Sequence, residues 1–460
     1  MTIRPAGDAR ITAAVPIVVV GAGACGMVAA LSAAEAGGEV LVLERDAVPS
    51  GSTALSSGMI PAAGTEEQRA QGVIDDASTF ARDIQSKSKG RSDRAVLAAA
   101  TEMSGPAVDW LNAMPDVELR LVEGFLYPGH SVARMHAPPD RTGRSLIGML
   151  RAAVERRGLD VMTGATVTDL YAREDGHVTA LRIERPDGAT EDIGCGALIL
   201  ACNGYGGNPD MVAKHIPEMA RADYFGHPGN RGDAVAWGVG LGGEAKHMSA
   251  YQGHGSVATP HGILITWALM MEGGIQVNTT GQRFSNEHAG YSEQAVSVLA
   301  QPGGVAWNIY DASRHELGLA FDDYRAAVAQ GAIRDAVSIE DLAAKIGVPS
   351  GALARSIMDT ASVGPDRFGR IMGQKPQLEA PFYAVKVTGA LFHTQGGLRV
   401  DGNARVVRRG TDRPLGNLYA GGGAACGVSG PFVDGYLSGN GLLTAVTLGR
   451  LAGLAAAASV

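Results

Sequence analysis

The sequence predicts an α/β protein in which a Rossmann-like dinucleotide-binding domain is interrupted by an inserted α+β cap domain. Three observations predict it. First, "PIVVVGAGACGMVAALSAAEAGGEVLVLERD" reads as a buried apolar strand over about residues 17–20, a glycine turn, an Ala-rich helix and a second strand ending at Glu44. Second, "GALILACNGYGGN" (196–208) and "NLYAGGGAACG" (417–427) repeat the strand-to-glycine pattern, the latter followed by a helix-like segment to the last residue. Third, a domain begun by the first residues and finished by the last has something inserted between. The insert is expected at 249–388, with 1–248 and 389–460 as the two parts of the dinucleotide domain.

Each element has a local reason. Gly21 permits the tight turn, Gly23 lets the backbone approach a pyrophosphate, and Gly26 brings helix and strand together, while the helix-start N–H groups, at Ala24 and Cys25, face the phosphates. Glu44, followed by Arg45, is expected at the adenosine ribose. "SGSTALSSGMIPAAGT" (50–65) is a run of small and hydroxyl residues suited to lie against a flat ring, with Ser52, Thr53, Ser57, Gly58 and Met59 in the cradle. A hairpin with a "PDG" turn (186–188) precedes the second glycine turn, where Ala201, Asn203 and Gly204 are expected at the cofactor, and Val167 is expected among the cofactor-binding residues. Gly422 and Gly423, then Asn440, Gly441, Leu442 and Leu443, complete the cradle. The middle of the insert is helix-rich, with Ser338 and Asp341 as helix caps.

These features together favour FAD over NAD. "GVGLGG" (238–243) has glycines but follows a helix-like stretch, so no second fingerprint for a nicotinamide is read. Noncovalent attachment is expected because "GSTALSSG" (51–58) has no histidine to bond the ring.

Composition narrows the class further. Lys and Arg total 39 against 47 Asp and Glu, a formal charge of −8, and no basic run interleaved with aromatics marks a nucleic-acid surface. The four cysteines, Cys25, Cys195, Cys202 and Cys426, lack metal-site spacing, so reduced thiols, no metal and a cytoplasmic setting are expected. The N-terminal apolar run is broken by Gly21, Gly23 and Gly26 and is expected to be neither a signal peptide nor a membrane span.

The fingerprint, "GSTALSSG", "MSAYQGHG" (248–255), "GGIQVNTTGQRFSNE" (273–287), "HTQGG" (393–397) and "GYLSGNGLLTA" (435–445) as a set resemble the FAD-dependent fumarate reductase and succinate dehydrogenase flavoprotein superfamily, which includes the 3-ketosteroid dehydrogenases. The resemblance covers nearly the whole chain and implies the FAD-binding fold of that superfamily (GR2-type) with its cap as substrate domain. In the fumarate-reducing branch, arginines and histidines hold a dicarboxylate. His254 and His393 stand where that branch keeps its histidines, but its two arginines are replaced by Tyr291 and Tyr436. An Arg fork grips a carboxylate bidentately, whereas a phenol is a single neutral donor.

The ketosteroid branch is similar at both positions. Carried over, Tyr291 is the base that removes a proton beside a ketone, and Tyr436 donates to the ketone oxygen alongside the backbone N–H of Asn440. His393, His254 or Tyr127 is expected to share the Tyr291 proton, since a free phenol titrates near about 10. Arg283, Asn286 and Glu287 read as a structural hydrogen-bonding block, Arg231 as a partner of Asp233, and Arg134 and Arg141 as the remaining candidates for gripping a substrate carboxylate.

The activity this implies is desaturation of a ketone, steroid-like or a smaller ring such as a substituted cyclohexanone, with electrons leaving to oxygen, a quinone or a carrier protein. The competing readings are the reverse reaction, an ene-reductase, and an electron-carrier flavoprotein without substrate.

Overall fold

Two N-terminal strands, Thr2–Pro5 (β1) and Ile11–Val20 (β2), begin the first of two units. The end of β2, Ile17 to Val20, is all β-branched and buried, as a strand covered on both faces requires. The computed structural model describes residues 2–123, 126–359, 364–371 and 377–460. Residues 1–217, 225–251 and 393–460 form the first unit; 218–224 and 252–392 form the second.

Helix α1 (Ala24–Glu35) starts directly after the turn, where Gly21 takes φ +103°. A Cβ on Gly26 would stand 1.8 Å from the Gly21 carbonyl oxygen, so only glycine lets α1 leave the turn at this approach. The obstacle is backbone and has no rotamer to escape into. Gly26→Ala is therefore expected to purify with little flavin per chain and a lowered melting temperature, both measurable from visible absorbance and thermal denaturation; full flavin content would contradict the stated role of this approach.

Val40–Leu43 (β3) lies parallel to β2, and Asp160–Met162 (β4) parallel to β3. Thr166–Ala172 (β5), Val178–Glu184 (β6) and Thr190–Leu200 (β7) form a meander, its "PDG" turn closed by Gly188 at φ +83°. The sheet runs β1-β5-β6-β7-β2-β3-β4, with β7 parallel to β2, which brings the second glycine turn beside the first. "GVGLGG" falls at the end of the helix Asp233–Gly240, consistent with setting it aside.

The second unit is a seven-stranded sheet. Its central path is Ile263–Leu264, Tyr251–Ala258 (β8), then Phe382–Thr394, Val305–Asp311 and Ile275–Val277. In chain order the last three are β11, β10 and β9 respectively, and the helix Tyr291–Leu299 is α2. Ser338 caps the helix Ile339–Ile346, accepting from the Asp341 N–H at 3.1 Å, so Asp341 lies in that first turn and is not itself a cap. The boundaries also differ from 249–388. Strand β11 runs unbroken past residue 388, and Asp223–Tyr224 pairs parallel with its Ala390 and Leu391, which draws 218–224 into this unit.

The chain returns to the first unit with Pro414–Ala420 (β12), parallel to β7, and ends in Asn440–Ala457 (α3). Helix α3 packs on α1 through glycines: a Cβ on Gly453 would stand 2.2 Å from the Ala29 oxygen, and one on Gly449 2.6 Å from the Cys25 oxygen. Among the described residues α3 alone has the length and apolarity to cross a membrane, but 56% of it is buried, and its contact with α1 accounts for that apolar surface.

Candidate active site

The first turn carries the geometry a dinucleotide needs. Gly23 caps α1 without any side chain, and the Ala22 N–H donates to Glu44 Oε2 at 2.8 Å. Glu44 Oε1 accepts the Asp46 N–H at 3.0 Å, so amides hold this buried carboxylate at the end of β3 and leave each oxygen a further lone pair. Beside it a cavity of about 230 Å³ is lined by Arg45, Gly164, Thr166, Glu184, Arg185 and Pro186. One sequence expectation is corrected here, that of a free N–H at Ala24. The Ala24 N–H does not face outward but donates to Thr53 Oγ1 at 3.0 Å, and Ser52 Oγ accepts from Asn230 Nδ2 at 2.8 Å and the His227 N–H at 3.2 Å. Both hydroxyls act as local braces of the loop.

At the second and third glycine turns, Cβ atoms would collide: on Gly204 with Thr394 Oγ1 and on Gly423 with Asn203 Oδ1, each at 2.0 Å. Asn203 itself takes φ +67°. One further buried atom, Asn440 Oδ1 at the start of α3, has no protein hydrogen-bond partner. Bare backbone at three turns, an acid at the end of β3 and an unpartnered amide oxygen fit a flavin dinucleotide.

In the second unit, His254 and Tyr291 come together: their rings stack with centroids 4.9 Å apart and 20° between planes. Trp267 meets the His254 ring edge-on at 5.8 Å and Phe392 lies 5.5 Å away. Tyr291 is the first residue of α2, and the next residue ties that helix to β8, because Ser292 Oγ accepts the Gly253 N–H and donates to the Gly253 oxygen, both at 3.1 Å. The glycines flanking His254 make this approach possible. A Cβ on Gly253 would stand 2.8 Å from Ala295 Cβ, and one on Gly255 2.6 Å from the Gln294 carbonyl carbon. A buried amide network holds the same strand: Gln276 Nε2 donates to the Gly255 oxygen and to Asn308 Oδ1 at 2.8 Å, and Gln294 Nε2 donates to Gln276 Oε1 at 2.8 Å. The His254 Nδ1 accepts the Ser256 N–H at 3.2 Å, which leaves the ring proton on Nε2.

In the first unit, His393 and Tyr436 meet edge to face at 5.6 Å. His393 Nε2 lies against the first turn of α3, where a Cβ on Gly441 would stand 2.7 Å from it. Asn440 departs from expectation. Its backbone N–H donates to the Leu437 oxygen at 3.1 Å, because Gly439 at φ +85° closes a turn over "LSGN", so it is no free donor for a substrate oxygen. Its side chain instead reaches Ser429. Tyr127 is also corrected: its hydroxyl donates to Met59 Sδ at 2.9 Å, and burial pushes its phenol up to about 12, away from any proton-accepting role.

Arg283 and Glu287 form the core of an ionic block, and Asn286 caps the short turn that follows it. Sequence reading missed two further members, Asp366 and Arg370, each paired into it at 2.6 and 2.8 Å. Arg134 does not await a carboxylate on a substrate. It is fully buried, paired with Asp75 at 3.0 Å and Asp83 at 2.8 Å, over the face of Phe80. Arg231 is exposed, and burial of Asp233 raises that carboxyl despite Arg45 and Arg231 nearby.

Burial alone depresses His254 to about 3, and burial is the largest cause that lowers His393 to about 4. His130 and His136 are likewise lowered to about 4, by burial first. The native rings stay neutral below pH 6.5 while the unfolded chain takes up protons, so this stability is present above about 6.5 and is lost as pH falls toward 4. The unfolding free energy from urea denaturation is expected to drop between pH 7 and 5, by up to about 2 kcal/mol for each such histidine. Turnover should show no histidine inflection between pH 5 and 8; one near 6.5 would mean that His254 or His393 titrates as an ordinary imidazole and is not held neutral by burial.

Comparison with known proteins places the chain in a family. Residues 16–442 match the model of the FAD binding domain family. A probable fumarate reductase of Shewanella frigidimarina is 28% identical over 95% of this chain and 74% of its own. The open conformation of a flavocytochrome c3 fumarate reductase superposes with a TM-score of 0.83 at 28% identity, covering 99% of this chain and 80% of that one. The 3-ketosteroid-Δ4-(5α)-dehydrogenase of Rhodococcus jostii RHA1 shares the fold, with a TM-score of 0.78 at 24% identity over 99% of this chain and 100% of that one. The chain belongs to the FAD binding domain family of flavoproteins, as an FAD-dependent oxidoreductase acting on CH–CH groups.

Proposed function

We propose that the protein introduces an α,β double bond into a ketone, a cyclic ketone being the substrate class. The observation that carries the reading is that each tyrosine lies beside a histidine that burial keeps neutral. Tyr291 beside His254 and Tyr436 beside His393 stand where the fumarate-reducing pattern has arginines, and burial keeps both histidines neutral. Neutral donors match a polarised carbonyl oxygen; they supply no permanent charge for a dicarboxylate.

In this reading Tyr291 takes the α-proton as its phenolate, having first released its own proton to solvent, an anion that the N-terminal end of α2 favours. Tyr436 O–H and His393 Nε2–H donate to the carbonyl oxygen as it gains charge, each such donor lowering the barrier by about 3–4 kcal/mol. Bound FAD supplies the hydride acceptor. Trp267 and Phe392 pack around His254 and keep that ring buried.

The same residues serve the reverse reaction, and the probable fumarate reductase among the relatives favours that second reading. Anaerobic mixing of the yellow holoenzyme with saturated cyclic ketones, with and without a carboxylate, tests both. Flavin bleaching with recovery of the enone supports desaturation. Failure to bleach, with reoxidation of the pre-reduced enzyme by an enone, assigns reduction. Reoxidation by fumarate but by no enone overturns the ketone assignment.

A further inference from the structure

One hydrogen-bonded chain in the first unit is left unused by the proposed chemistry. Asn440 Nδ2 donates to Ser429 Oγ at 2.9 Å, Ser429 Oγ donates to Gln395 Oε1 at 2.8 Å, and Gln395 Nε2 meets His393 Nδ1 at 3.1 Å. Asn440, Ser429 and Gln395 are all at most 4% exposed, so water does not compete for these bonds. We infer that this chain selects the tautomer of His393, with Gln395 and Ser429 as positioning residues that keep the ring proton on Nε2.

The count of donors along the chain fixes the direction of each bond. A serine hydroxyl has one proton, and here it is given to Gln395 Oε1, so Ser429 accepts from Asn440. With Oε1 thus occupied, the Gln395 amide turns its N–H toward His393 Nδ1, which must be the bare, accepting nitrogen. The proton then sits on Nε2, the atom packed against Gly441 at the first turn of α3 beside the Tyr436 ring. Because each member has one arrangement compatible with its neighbour, the chain has only two consistent polarities. The opposite polarity needs both amides rotated and the ring proton moved to Nδ1, where the Thr394 oxygen, 3.3 Å away, would share it; Nε2 then becomes a bare acceptor. That state is useless to a carbonyl oxygen. The inference rests on the proposed role of His393 as a donor, but the tautomer itself is observable without any substrate.

The test is ¹⁵N NMR of histidine-labelled holoenzyme, with the His393 resonances assigned by their loss in His393→Gln. Wild type is expected to show a protonated Nε2 and a bare Nδ1 at neutral pH. Gln395→Glu presents only acceptors to Nδ1, and is expected to move the proton to Nδ1 or to hold the ring as imidazolium. In kinetics it should lower kcat, with an acid limb that wild type lacks and unchanged flavin content. Ser429→Ala frees the amide to rotate and is expected to give a mixture of tautomers, with Ser429→Thr restoring the wild-type pattern. A protonated Nδ1 in wild type, or the same tautomer in wild type and Gln395→Glu, would overturn the inference. If the tautomer shifts as stated while the wild-type enzyme turns over no ketone, the positioning role stands and the proposed substrate falls.

Discussion

Tyr291→Phe is expected to bind FAD in full stoichiometry and melt near the wild-type temperature, while its turnover of a ketone falls by about 10²- to 10⁴-fold, the range for loss of a positioned general base. The substitution removes one oxygen and keeps the ring. The stacking on His254, at 4.9 Å and 20°, is a contact of ring faces and does not depend on the hydroxyl. The tie between Ser292 and Gly253, which places the start of α2 on β8, is likewise untouched. What disappears is the only part of Tyr291 able to take a proton. As the first residue of its helix, Tyr291 stands at the positive end of the α2 dipole, where negative charge is favoured by about 0.3–1 kcal/mol. The measurement is anaerobic single-turnover bleaching of the flavin, which separates the chemical step from reoxidation. Near wild-type bleaching in both Tyr291→Phe and Tyr436→Phe would remove both tyrosines from the mechanism. A high KM with unchanged kcat would make Tyr291 a binding contact.

How much of this was legible in the sequence depends on how local the signal is. Gly21, Gly26 and Glu44 could be read because their tasks are fixed by near neighbours: a turn, a helix start, the end of the adjacent strand. The pairing of Tyr291 with His254 rested on resemblance, and the contact between them is made by the glycines on either side of His254, which lay β8 against α2. No periodicity reveals that a Gly-His-Gly strand will face a helix backbone. Asn440 was misread because its backbone was assigned by analogy; Gly439 and the Leu437 carbonyl decide where that N–H goes. Gln395 was in plain view in "HTQGG", but its meaning comes from Ser429, which reaches it through the fold. Arg370 had no local signal at all, since its partner Glu287 is 83 residues away.

That long-range pair underlies the largest expected effect on stability. Glu287 is 1% exposed and accepts four bonds. Arg283 Nε (2.9 Å) and the Gln276 N–H (3.0 Å) reach Oε1, while Arg283 Nη2 (2.6 Å) and Arg370 Nη1 (2.8 Å) reach Oε2. Burial pushes this carboxyl up, yet the bonds from Arg283 and the charge of Arg370 outweigh it and hold it below the usual glutamate value. Its stabilising contribution is therefore present above the unfolded carboxylate pKa and lost as pH falls through the lower native one. Glu287→Gln keeps the shape but removes the charge and turns an N–H₂ toward a guanidinium. Arg283 retains Asp366 at 2.6 Å, whereas Arg370 is left buried with no acid directly paired to it. Breaking a buried pair from one side typically costs about 3–5 kcal/mol. Set against a total stability of about 5–15 kcal/mol, that is a large fraction. Urea denaturation of Glu287→Gln at neutral pH should show this loss, and a change under about 1 kcal/mol would mean that the network relaxes around the missing charge. The effect should also reach catalysis. Glu287 accepts the Gln276 N–H, and Gln276 in turn holds the Gly255 oxygen and the Gln294 amide of α2, so loosening the ionic block loosens the strand and helix that stack His254 on Tyr291. A variant that loses stability and single-turnover bleaching together, with both restored in part by Glu287→Asp, is the expected pattern.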